Sequence, residues 1–290
     1  MEDFFTALSK GLKGLANSPV LLMAGILVGI LTVPGLLAYG KFDELVVALS
    51  ANYMILFPLL VMPFITGGAL SYAIEVSKVG ASSLSTFLAG AKKYYMRLLL
   101  AGIAAYILFH FLGLSVLVVM LGSGMAGDAL LTLLLTLVSV VFMFIVLMMI
   151  EFYDVIIVSG NTGIVQSFRG SVSFVKSNFM LVLPFFVIII LVKLLIQFPL
   201  IAGMTAEMAT NETYLQSYMD VNQSLNTSLV NPVPINMGSV TLISVAIFQS
   251  VVQGFVFAFV MLYKVEFYRM VSGRKKITDF DYDFSRDGST

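Results

Sequence analysis

Residues 163–200 read GIVQSFRGSVSFVKSNFMLVLPFFVIIILVKLLIQFPL. The first half is one helix long, apolar on one side, and basic on the other through Arg169 and Lys176. The second half is apolar apart from Lys193 and Gln197. A helix needs about 20 mostly apolar residues to cross the hydrocarbon of a bilayer, and residues 179–200 supply them. The stretch therefore reads as an amphipathic helix at a membrane surface that runs straight into a span.

The whole composition agrees. Of 290 residues, 59% are hydrophobic and 11% charged, against about 25% charged in a soluble domain. Mean hydropathy is +1.01. Such a chain belongs in a bilayer, which excludes a secreted globular domain, a disordered regulator and a nucleic-acid binder. The 16 basic residues balance the 16 acidic ones, so no global field favours polyanions. Cysteine is absent and histidine occurs once, which excludes disulfides, thiolate chemistry and a His-rich metal site.

Six spans are expected, at residues 19–39, 53–75, 98–121, 130–157, 179–200 and 239–265. Pro58 and Pro63 predict a kink in the second. The fourth and sixth exceed the hydrocarbon thickness and should tilt or project. The segment before the first span carries Glu2 and Asp3 and is not expected to be a cleaved signal peptide. With six spans both termini share a side. Apart from Lys41 opposite and Lys193 within a span, that side holds all the Lys and Arg, 14 of 16. The expected topology is N-in and C-in in the cell membrane. The long external loop, residues 203–238, has no Lys or Arg. Its Asn211, Asn222 and Asn226 each begin an N-x-[ST] triplet, usable for glycosylation only on an external face.

The segments before spans one, three and five can be superposed with Leu8, Phe87 and Phe168 in register. Gly11, Gly90 and Ser171 then coincide, as do Leu15, Tyr94 and Val175. The even spans carry acid near their inner ends: Glu75, then Glu151 with Asp154, then Glu266. Glu151-Phe152-Tyr153 and Glu266-Phe267-Tyr268 match, and each precedes a Val-Ser-Gly. The expected architecture is all-α, in one membrane domain over residues 1–275. Three parallel units, about 3–80, 83–160 and 164–273, each comprise an interfacial amphipathic helix and two spans. They should be arranged about a pseudo-threefold axis along the membrane normal, with the short helices flat on the inner surface. Residues 276–290 form a cytoplasmic tail in which Asp279, Asp281 and Asp283 alternate with Phe280, Tyr282 and Phe284.

Gly163 to Phe179, GIVQSFRGSVSFVKSNF, resembles a signature of a broad group of six-span prokaryotic membrane proteins. That group includes uncharacterised archaeal integral membrane families and the membrane domain of some glycerophosphodiester phosphodiesterases. The resemblance covers residues 1–275 and implies a fold and a setting. It carries no reaction over, because in those phosphodiesterases catalysis belongs to a separate soluble domain. Here about 25 residues follow the last span and the sole His lies within span three.

Ionisable groups at membrane depth default to functional hypotheses. Glu75, Glu151, Asp154 and Glu266 lie near the inner boundary, with Lys78, Lys93, Arg169, Lys264 and Arg269 nearby. The expected reading is that the acids pair with basic residues of the interfacial helices and lock the repeats together. The rival is a ring of carboxylates admitting cations or protons. His110 is expected to bond a neighbouring helix rather than to shuttle protons. Lys193 should snorkel to the outer interface, while Gln197, Gln249, Gln253 and Asn52 offer interhelical bonds of about 1 kcal/mol each. Gly25 and Gly29 form a G-x-x-x-G that reads as packing within one chain, and Gly67-Gly68 permits another close helix approach. Lys10, Lys13, Lys92, Lys93, Arg97, Arg169 and Lys176 make a cationic surface for anionic lipid.

No phosphate-binding Gly loop, H-E-x-x-H or G-x-S-x-G occurs. The sequence thus predicts no catalytic residue, metal or cofactor. It predicts a non-enzymatic integral membrane protein, concerned with membrane organisation, lipid interaction or service as a subunit. Its partners would be lipids and a further membrane protein, not nucleic acid. The alternatives are a transporter or channel using the inner carboxylates and, more remotely, a lipid-acting enzyme with Glu151 and Asp154 as acid and base.

Overall fold

The connections that follow the amphipathic segments decide the architecture. The computed structural model describes residues 2–39, 60–125, 129–210 and 239–274. Their helices are α1 (Glu2–Ala16), α2 (Pro19–Tyr39), α3 (Met62–Val79), α4 (Leu84–Met125) and α5 (Ala129–Ile150). These are followed by α6 (Tyr153–Gly160), α7 (Ile164–Ser177), α8 (Phe179–Thr210) and α9 (Ser239–Arg274). No strand occurs among the described residues.

Between α1 and α2 the chain turns by 87°, and between α7 and α8 by 109°. Each turn has a local cause. Pro19 opens α2, where its fixed φ suits the first helical position and its missing N–H is not needed. Asn178 stands between α7 and α8. Its side-chain amide donates to the Phe174 carbonyl at 2.8 Å, while its own carbonyl accepts from the Leu181 and Val182 amides. The polar residue thus closes one helix and starts the next.

The second amphipathic segment behaves differently from its expectation. Residues 84–125 form one continuous helix, so no separate short helix precedes the third span. In the shared register Ser18 and Asn178 correspond to Arg97, which is flanked by Met96 and Leu98. These three are good helix formers, and nothing in the backbone chemistry asks for a break.

Three described helical stretches are long and apolar enough to cross a membrane, or five if each bent pair counts as one span. The protein is an all-helical, multi-pass membrane protein. The expected second span at 53–75 is described only from Leu60 onward. Along α4 and α5, Phe111, Leu114, Val118, Leu130, Leu133, Leu137 and Phe142 are exposed. In water such a face would be prohibitive, whereas hydrocarbon solvates it as well as a protein core does.

The chain divides into two compact units: Met1–Val20, Pro63–Ile188 and Phe259–Thr290 form one, and Leu21–Met62 with Ile189–Ala258 the other. The core of the first is aromatic. Phe152, Phe185, Tyr263 and Phe267 are fully buried, with ring centroids 4.3 Å apart for Phe185–Phe267, 4.7 Å for Phe185–Tyr263 and 5.1 Å for Phe152–Phe185.

Within that unit the small residues singled out by register all mark close contacts. A Cβ on Gly11 would lie 3.2 Å from the Tyr263 Cα of α9. A Cβ on Gly90 would meet the Ser71 side chain of α3 and come within 3.0 Å of the Gly67 carbonyl. Ser171 of α7 donates to the Met149 carbonyl at 2.7 Å and accepts from the Phe152 amide at 3.1 Å. In the second unit, Gly25 and Gly29 of α2 press on Gly254 and Ser250 of α9, so the G-x-x-x-G packs within one chain as its spacing predicts.

Candidate functional site

The fourth span, expected over 130–157, runs as one apolar stretch from Leu130 to Gly160, and its regular helix is interrupted by a turn at Glu151-Phe152. A break inside a membrane helix frees backbone groups that lipid cannot satisfy. The Ser171 hydroxyl answers that need by bridging the Met149 carbonyl and the Phe152 amide. Replacing Ser171 by Ala removes the bridge and keeps the volume. We expect S171A to lose about 1–3 kcal/mol, the usual cost of stranding a buried polar group. Amide exchange should accelerate at Phe152, and unchanged protection there would show the break to be held by other means.

Restarting the helix as α6 aims Glu151 and Asp154 at one point on α9. Lys264 Nζ lies 3.1 Å from Glu151 Oε1 and 2.8 Å from Asp154 Oδ1, and it donates to Asp154 Oδ2 at 3.0 Å. Lys264 and Asp154 are buried. The ammonium also stands 6.0 Å from the Phe152 ring centroid. Two carboxylates against one ammonium leave an excess negative charge when all are ionised. Asp154 occupies the first turn of α6 and accepts the Val155 amide at 2.7 Å, so the positive helix terminus offsets part of that excess. The break, the Ser bridge and the ion cluster are thus one construction.

The ion pairs seen among the described residues join acids to the last apolar helix and not to a basic residue of an amphipathic helix. Glu151 and Asp154 find Lys264 on the last apolar helix. Glu75 accepts from the Ser82 hydroxyl at 2.5 Å, in the turn after α3. Glu266 is half-buried and stands outside the cluster, because residues two apart on a helix point in nearly opposite directions.

Arg97, expected at the lipid surface, also makes protein contacts. It donates to the Asn161 carbonyl and side-chain oxygen, both at 2.9 Å, at the left-handed residue that ends α6. A guanidinium there satisfies terminal carbonyls and suits the negative helix end. Arg269 of α9 does the same near the end of α3, donating to the Ser77 carbonyl and hydroxyl. Neither contact has a signature in local sequence spacing.

Among the described residues, His110 bonds within its own helix. Its Nδ1 lies 2.9 Å from the Tyr106 carbonyl, with its ring 3.9 Å from the Tyr106 ring. Lys193 is exposed, in keeping with a side chain that reaches for an interface. Lys10, Lys13, Lys92, Lys93, Arg169 and Lys176 are exposed as well. Asn211, Asn222, Asn226 and the tail lie outside the described residues.

With that geometry in place, a family can be assigned. The chain belongs to the family whose model is the domain of unknown function DUF7847, which matches residues 4–271. The matched stretch takes in every helix described above except the ends of α1 and α9. No curated protein and no solved structure matches the chain.

Proposed function

We propose that this protein is a non-enzymatic scaffold of the cell membrane that gathers anionic lipid at its inner face. The observation that carries the reading is the pair of right-angled turns. They set the short amphipathic helices α1, which carries Lys10 and Lys13, and α7, which carries Arg169 and Lys176, across the direction of the apolar helices that follow. A helix so placed, apolar on one side and cationic on the other, belongs at the level of lipid headgroups.

The same reading gives the chain six spans in three units, with both termini on the inner side. Three equivalent contacts support the triplication. Gly11, Gly90 and Ser171 share one register position, and each seats its amphipathic segment on an even-numbered span. The first segment meets the last span, the second meets span two and the third meets span four. Lys264 between Glu151 and Asp154, and Arg97 and Arg269 at helix ends, tie the units to one another. With Lys264 engaging both carboxylates, the geometry favours a structural role for them over a cation path.

The test is reconstitution into vesicles with two readouts. Spin-labelled phosphatidylglycerol should be motionally restricted by the protein more than spin-labelled phosphatidylcholine, and the difference should shrink as salt is raised. Proton and monovalent-cation flux should equal that of empty vesicles. Flux that E151Q abolishes without unfolding the protein would overturn the scaffold reading and make this a transporter. Equal restriction of the two lipids would remove its basis.

A further inference from the structure

We propose that α7 carries one discrete phosphate site for an anionic phospholipid. It is formed by Arg169 and Lys176 with the hydroxyls of Ser173 and Ser177, over an apolar wall of Phe168 and Val172. These six residues line an open groove of about 450 Å³. The proposal rests on the lipid-scaffold reading and narrows it from a cationic surface to a site.

The buried side of α7 fixes which side faces outward. Ser167, Ser171, Phe174 and Val175 are buried against the bundle, which leaves Arg169, Ser173, Lys176 and Ser177 exposed. Arg169 and Lys176 are seven residues apart, two helical turns, so they stand on the same face about 10 Å apart along the axis. Ser173 lies between them. No ion pair or hydrogen bond engages either cation among the described residues. The wall is held in place, since the Phe168 ring stacks on Tyr153 with centroids 4.9 Å apart.

The charges suit a phosphodiester, which Arg binds through its planar fork and Lys as a point charge. The apolar wall suits a lipid rather than a soluble anion, because Phe168 and Val172 can line the start of an acyl chain beside the headgroup. The 109° turn into α8 sets the groove across the apolar helix, where the lipid-scaffold reading puts the headgroups. The site is single. In the shared register Arg169 corresponds to Ser9 and Leu88, and Lys176 to Ala16 and Tyr95. The other two segments therefore lack this pair of cations.

The experiment is native mass spectrometry of the full-length protein released from phosphatidylcholine nanodiscs containing graded phosphatidylglycerol. Wild type should retain one phosphatidylglycerol per chain. R169Q/K176Q should bind it roughly 25-fold more weakly, the product of about fivefold for each basic residue near the surface. Both side chains are exposed, so the variant should melt with wild type. K10Q/K13Q, which only thins the general cationic surface, should weaken binding several-fold less than R169Q/K176Q. Excess inorganic phosphate should not displace it. Retention undiminished in R169Q/K176Q would overturn the site while leaving a general anionic preference intact. So would equal losses in the two double variants, which would mean diffuse attraction. Displacement by inorganic phosphate would show a soluble-anion site. No preference for phosphatidylglycerol in wild type would remove the scaffold reading and the site together.

Discussion

Replacing Lys264 by Met should be the most damaging single change to the ion cluster, lowering stability by about 3–5 kcal/mol. The side chain is buried and touches both carboxylates, Glu151 at 3.1 Å and Asp154 at 2.8 Å. Methionine fills a similar volume but leaves two carboxylates without a counter-charge in a low-dielectric interior. The single acid variants should divide unequally. E151Q leaves one carboxylate facing one ammonium and should be mild. D154N removes the acid that meets Lys264 through both oxygens, and should cost more. Neutralising all three positions, as K264M/E151Q/D154N, should recover most of the loss, because an uncharged cluster needs no counter-ion. Thermal unfolding in one detergent, scored across the set, decides the matter. Additive losses in the triple variant would mean that each residue acts through its own packing and that no charge coupling exists.

The sequence states the charges but not their partners, and the reason is geometric. Glu151 and Asp154 are visible as acids at the end of an apolar run, and Lys264 and Glu266 stand side by side in another. Which of those two faces span four depends on the rotation of the last helix. Apolar residues surround Lys264 and Glu266 in sequence, so no polar stripe discloses that rotation. Once Lys264 faces the cluster, Glu266 must point elsewhere, two residues further round the helix. The break at Glu151-Phe152 is equally hidden. No Pro or Gly marks it, and its support, Ser171, comes from another helix.

What the sequence does disclose are the places where local chemistry is decisive. Asn17-Ser18-Pro19 and Ser177-Asn178 stop helices, and the chain turns there by 87° and 109°. Met96-Arg97-Leu98 does not, and α4 runs through. The amphipathic pattern alone calls for three short helices, whereas capping residues separate two from the third. Arg97 adds a use of its own: at the position where its counterparts end a helix, it reaches the end of α6 instead. The three small residues that coincide in register prove to be contact residues because close approach of backbones constrains size directly, whereas an ion pair constrains only charge.

That constraint is tightest in the second unit, and it supports the other large expectation. A Cβ on Gly25 would overlap the Gly254 carbonyl oxygen, and a Cβ on Gly29 would overlap that of Ser250. The obstructing atoms are backbone, so no side-chain rotation relieves the clash and α2 must move away from α9. Helix association in lipid depends on close packing rather than hydrophobic exclusion, so separation forfeits much of the attraction. G25L should therefore abolish recovery of folded protein, and G25A should already lower the melting temperature by several degrees. Gly113 of α4 supplies the internal control, since a Cβ there meets nothing within 4 Å. G113A should be neutral or gain up to about 1 kcal/mol from helix propensity alone. If G25A and G113A behaved alike, the contact between α2 and α9 would contribute nothing to the fold. The opposite result, loss at Gly25 and gain at Gly113, would separate the packing role of glycine from its backbone cost within one molecule.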